Sequence, residues 1–216
     1  MLPRLKENLL LIRSSAAGKT YQWQIPLNSP LMTVDSRGEY ERDEGGVHTV
    51  FAKIASVWQI EPLGPHNSGS LQHRKFALSG IASTRIYLFE RLQGGGEREL
   101  AMWRMGIGDE QSPGCHFHVQ VLGTNPKPPF PQTLSVPRLP FHFATPAVAF
   151  EYTLGEIFQD RWKSQAAGSL RSADWGALQR ERLLKLLEWQ RLVVDSAIGS
   201  PWLALKTGKP KSDLFT

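Results

Sequence analysis

The sequence predicts an α+β fold: an antiparallel sheet meander with an N-terminal helix and two C-terminal helices. Three observations lead there. Short strand-like runs alternate with Gly-rich turns between about residues 20 and 123, which is the pattern of consecutive antiparallel strands. The stretch TNPKPPFPQTLSVPRLP then carries six prolines in 17 residues, which excludes a regular helix or a central strand. Two helical periodicities follow it. A chain of 216 residues with 41% hydrophobic content and seven tryptophans can bury a substantial core. The reading is a single α+β domain over residues 1–198 and a basic C-terminal tail over 199–216.

The elements follow in order. Leu2, Leu5, Leu9 and Ile12 fall near helical spacing and predict a first helix over about residues 3–15. KTYQWQIPL alternates weakly, and HTVFAKIASVWQI supplies Val50, Ile54, Val57, Trp58 and Ile60 to a longer strand. GPHNSGS is a loop by composition. KFALSGIASTRIYLFERL reads as one or two strands, QGGGERE as a hairpin connection and LAMWRMGIG as the returning strand. CHFHVQVLG is the next strand, and the proline-rich stretch is an extended connector. Thr145 and Pro146 form a helix start, with Pro146 at the first helical position. Phe150, Leu154, Ile157 and Phe158 line one side of that helix. Ser172 caps a longer one with Asp174 in its first turn. Leu178, Leu183, Leu186, Leu187 and Val193 form the longer helix's apolar face, and Gly199 with Pro201 ends it.

Composition narrows the function classes. No apolar run is long enough to span a bilayer, so no membrane partner is expected. A lone cysteine, Cys115, excludes an internal disulfide framework and fits a reducing, cytoplasmic compartment. The net charge is +5, and from Arg161 onward ten Lys or Arg face five Asp or Glu. That balance favours nucleic acid, anionic nucleotides or an acidic protein as partner. AAGKT is not a phosphate loop, because Arg13 stands where the upstream glycine is needed.

The chemistry concentrates in SPGCHFHVQVLGT. Strand alternation puts His116, His118 and Gln120 on one face, with Phe117, Val119 and Val121 on the other. A neutral imidazole can act as base, nucleophile or metal ligand near neutral pH. Two histidines at this spacing can share a divalent metal with a third ligand, for which His142, His48, His66 and His73 are candidates. Arg104, in MWRMG, can face the same side across the hairpin, and an arginine beside two histidines suits a phosphate. A polar sheet surface, with Arg104 paired to Glu99 or Asp109, is the competing account.

QSPGCHFHVQVLG resembles the signature of the histidine triad superfamily, with Gln120 in the third position as in its uridylyltransferase and dinucleotide phosphorylase branch. The resemblance covers about residues 106–123. It implies that His118 attacks an α-phosphate while His116 and Gln120 orient it, with Gln111 and Ser112 as the preceding Gln-Ser pair at the substrate. One extra residue separates that pair from His116, and more than 90 residues follow the motif. Over about residues 84–162 the layout also resembles poorly characterised bacterial proteins, including TumE-type toxins. In these an aromatic-Arg strand precedes a Pro-x-x-His-x-His segment, a Pro-rich connector and a Phe-rich helix. That likeness implies Arg104, His116 and His118 as the polar centre of a toxin or phage-defence protein.

Two functions follow. One is an enzyme acting on a phosphodiester or nucleotide: a nuclease, or a nucleotidyl hydrolase or transferase. The other is a non-catalytic module of a defence or toxin–antitoxin system, binding protein or nucleic acid through its helices and basic tail. Trp162, Trp175 and Trp189, near basic residues, can either stack on bases or fill an interface.

Overall fold

The computed structural model describes residues 6–8, 10, 11, 14–16, 18–40, 48–63, 75–108, 117–122, 139, 140, 146–168 and 173–208. Seven strands form one antiparallel sheet: β1 (Tyr21–Ile25), β2 (Leu31–Met32), β3 (Val50–Leu63), β4 (Lys75–Arg91), β5 (Glu97–Ile107), β6 (Phe117–Leu122) and β7 (Leu139–Pro140). The order is β1-β3-β4-β5-β6-β7, and β2 also pairs with β3. Three helices follow: α1 (Pro146–Gly168), α2 (Ala173–Asp195) and α3 (Pro201–Thr207). This is the α+β class that the alternating runs predict, and KFALSGIASTRIYLFERL is a single strand.

Register divides the sheet into two faces. Ile54 on β3 lies opposite Ile86 on β4, Ile86 opposite Trp103 on β5, and Trp103 opposite Val121 on β6. This face buries Val50, Ala52, Ile54, Ile86, Leu88 and Met105 against Ala149 and Ile157 of α1. Trp103 meets Tyr152 of α1 edge to face, with ring centroids 6.4 Å apart. Three buried polar groups on the same face satisfy one another. The Ser56 and Thr84 hydroxyls are 2.7 Å apart, and Trp58 Nε1 donates to Thr84 Oγ1 at 3.4 Å. Farther along, Phe117 and Leu186 are buried together, and Trp189 of α2 stands edge-on to Phe117 at 5.6 Å.

Side chains close the edge beside β3. Ser36 and Thr33 extend the pairing beyond β2: their hydroxyls accept from the Val50 and Ala52 N–H groups at 2.9 Å. Helical residues lie between Lys6 and Ser14, within the predicted first helix. Asn8 there donates from Nδ2 to the Gln24 carbonyl at 3.1 Å. It also accepts from the Gln24 N–H at 3.4 Å, so a polar residue in an apolar run fastens that segment to β1. Pro140 lies in the two-residue β7 beside β6, a position where its missing N–H is tolerated.

The helices depart from expectation in three places. Gln159 has φ 38° and ψ −108°, so α1 kinks there, and Trp162 beyond the kink returns against Gly155. Leu186 is buried, but Leu183 and Leu187 are exposed together with Leu184, so the apolar residues of α2 encircle it rather than form one face. Gly199 (φ 104°) turns the chain as predicted, yet Pro201 opens α3, which packs back on α2. Residues 201–207 of the predicted basic tail are therefore helical. Trp189 contributes to the core, not to a stacking surface. Thr145 and Ser172, the predicted caps, lie outside the described residues.

Two predictions follow. Ile86→Ala, at a fully buried site, should cost about 2–5 kcal/mol in chemical denaturation. At the sheet's rim, a His48 ring N–H donates to Glu90 Oε1 at 2.5 Å, and Arg98 also pairs with Glu90. The His48 bond, opposed by burial and reinforced by Arg98, lowers the Glu90 carboxyl below its ordinary range. A depressed folded-state pKa stabilises above the unfolded value of about 4.3 and is lost as pH falls through the folded value. Urea midpoints measured from neutral to acid pH should therefore fall less steeply for Glu90→Gln than for wild type.

Candidate functional site

The sheet's second face carries the polar residues that the alternation predicts. On this face Val57, Ser83, Gly106 and His118 form one row across β3 to β6. Ala55, Arg85, Arg104 and Gln120 form the next. Arg104 and His118 thus share a face and belong to adjacent rows, with Gln120 directly opposite Arg104. The register is unbroken through these rows, because the irregularities lie at Trp58/Ile60 and Leu88/Phe89.

Each side chain has a local reason for its position. Arg104 is partly buried, and its Nε donates to Ser83 Oγ at 3.1 Å. This anchors the guanidinium to β4. His118 is 4% exposed. Its imidazole lies over Gly106, where a Cβ would be 3.7 Å from Nε2 and 3.4 Å from the Ala82 carbonyl oxygen. A Cβ at 106 would thus stand in ordinary contact with the ring, and a larger side chain would reach beyond that.

His116, Gln111 and Ser112 lie outside the described residues, as do His66, His73, His142, Asp109 and Cys115. His48 is bound to Glu90, and Val50, opposite Glu90, is seven positions along β3 from the His118 row, about 23 Å at strand spacing. Among the described residues no three His, Cys, Asp or Glu side chains group to hold a metal ion. No helix among them is long and apolar enough to cross a membrane.

Farther along the same face, an ion-pair network sits on aromatic rings. Lys53 and Arg91 both bond Glu97, at 2.5 and 2.8 Å, and Arg91 also reaches Asp35 at 3.2 Å. Lys53 lies 4.2 Å over the Phe89 ring and Arg91 4.3 Å over Phe51. Lys53 and its Arg91 bond lower the Glu97 carboxyl, in that order of importance, against a smaller effect of burial than that of Lys53. These cations already have partners.

Sequence reasoning did not single out Ser83 or Arg85. Their signal is the alternation Ser83, Arg85, Tyr87 in STRIYLFER, but only the β4–β5 register shows that they meet Gly106, Arg104 and Met102. Comparison with protein-family models, curated proteins and solved structures found no match.

The packing at Gly106 yields a test. Gly106→Val should crowd the imidazole and cost about 1–3 kcal/mol through overpacking. In NMR spectra it should shift the His118 ring resonances more than those of His48.

Proposed function

We infer that this protein acts on a phosphodiester or nucleotide through its His-x-His strand, in a bacterial toxin or defence setting in the cytoplasm. The observation that carries the reading is the shared face: His118 and Gln120 lie beside Arg104, whose guanidinium Ser83 holds. In this scheme Arg104 binds phosphate oxygens through charge-assisted bonds, and Gln120 orients them. His118 attacks phosphorus or relays a proton, and His116 assists. Gln111 and Ser112 complete the substrate contacts, and a divalent metal is an optional participant. The partner is then a nucleotide or nucleic acid, in keeping with the net charge of +5.

The exposed leucines of α2 favour a second reading, a module that binds a protein partner through its C-terminal helices. Leu184 is 60% exposed and Trp202 of α3 66% exposed, more apolar surface than these helices need for the core.

Cleavage of labelled RNA, single-stranded DNA and dinucleotides separates the two. Wild type should cleave at least one substrate, and His118→Ala should lose about 10²-fold or more of that rate. A chelator arm assigns or removes the metal. If wild type is inert on every substrate and Leu184→Asp disrupts the protein's biological effect, the binding module replaces the enzyme.

A further inference from the structure

Two donors of α2 stand apart from the site described above. Gln179 Nε2 and Arg182 Nε are shut off from solvent, and neither has a hydrogen-bond partner among the described residues. Buried donors are paired in the great majority of cases, so each unpaired one calls for an explanation. The two residues are three apart, which puts them on one side of the helix, a turn from each other. Leu186, a turn farther on, is buried against Phe117 at the start of β6, with Ile107, Val148 and Trp189 around them. The donors therefore continue the side of α2 that turns to the sheet. Phe117 alternates with His118, so this is the helix-covered face, opposite to the one that carries Arg104 and His118. Charge on this stretch favours an anion. Residues 179–185 hold three cations, Arg180, Arg182 and Lys185, against one acid, Glu181. Glu181 is exposed and bonded to Lys185 at 2.9 Å. Arg182 makes no ion pair among the described residues, and burial lowers its pKa against the pull of Glu181. A half-buried cation without an acceptor destabilises the fold until one reaches it.

We propose that Gln179 and Arg182 form a phosphate-binding site on α2, separate from the candidate site and independent of its reading. The guanidinium fork takes two phosphate oxygens, and a third accepts from Gln179 Nε2. A phosphate suits the pair better than a carboxylate, which has no oxygen left for the amide once the fork is filled. Arg182 keeps part of its surface in solvent, which gives the anion its approach. Because Leu186 on the same side packs on Phe117, a phosphate held here also fastens α2 to β6. The ligand is free phosphate or the phosphate group of a nucleotide.

The test follows the arginine Nε–H and glutamine side-chain signals of the full-length protein by NMR. Inorganic phosphate or adenosine monophosphate is added at constant ionic strength. The Arg182 Nε–H and Gln179 amide signals, assigned by their loss in R182Q and Q179L, should shift together and saturate. They should do so in wild type and in R104Q alike, which separates this site from the one on the other face. R182Q should weaken binding about tenfold or more, and R182K should restore only part, since an ammonium has no fork. R180Q, at an exposed position two residues away, should bind as wild type does. Melting gives a second readout: phosphate should raise the midpoint of R104Q more than that of R104Q/R182Q. A response to adenosine monophosphate alone assigns the site to a nucleotide, and equal responses assign it to the phosphate group. Signals that stay in place in wild type, or a melting shift that survives undiminished in R104Q/R182Q, overturn the site. Water or the Gln179 carbonyl oxygen then serves Arg182. Cleavage by the protein, or its absence, bears on neither result.

Discussion

The period-two alternation of β3, β4 and β5, held in a single register, determines which residues this sheet buries and which it offers. Ile54, Ile86 and Trp103 form one row facing α1, and Ala55, Arg85 and Arg104 form the adjacent row facing away. A slip of one residue in any of these strands sends its whole set to the opposite face. It would drive an arginine into the apolar layer and leave an isoleucine or tryptophan in water. The core and the candidate site are therefore two consequences of one register.

Polar atoms inside the core make that register selective. Ser56, Thr84 and Trp58 bury a hydroxyl pair and an indole N–H that find partners only when β3 and β4 align as they do. A slip would strand those groups at a cost of about 1–3 kcal/mol each. Thr84 lies between Ser83 and Arg85 in sequence, so the buried bond fixes the stretch from which Ser83 reaches Arg104. Asn8, Thr33 and Ser36 act similarly at the sheet's other side, where they supply backbone hydrogen bonds beside β1 and β3.

The sheet was legible in the sequence because its signal is local. Alternating runs broken by Gly-rich turns identify β3, β4 and β5, and the same alternation puts His118 and Gln120 opposite Phe117 and Val119. Arg104 facing the histidine side needed only the hairpin's parity. Arg85 needed the register itself, which sequence does not specify across a ladder with irregularities at Trp58/Ile60 and Leu88/Phe89. The helices were harder for a different reason. Leucine is apolar wherever it stands, so periodicity grouped Leu183 and Leu187 with Leu186, although only Leu186 reaches Phe117. The proline that marks a helix end is also favoured at a helix start, and Pro201 serves the second role.

Natural sequences tend to be locally consistent, and departures from that consistency gather where function needs them. Two departures stand on one patch of this sheet. Arg85 stands directly opposite Arg104 in the ladder, and His118 is buried in the adjacent row. The first sets like charges on facing strands, and the second lays a polar ring against Gly106. The ion-pair network at Glu97 shows that the same face can match its charges, with Lys53 and Arg91 both satisfied. Arginines on facing strands and a buried imidazole thus share one patch of the face that also carries the ion pairs of Lys53 and Arg91 with Glu97.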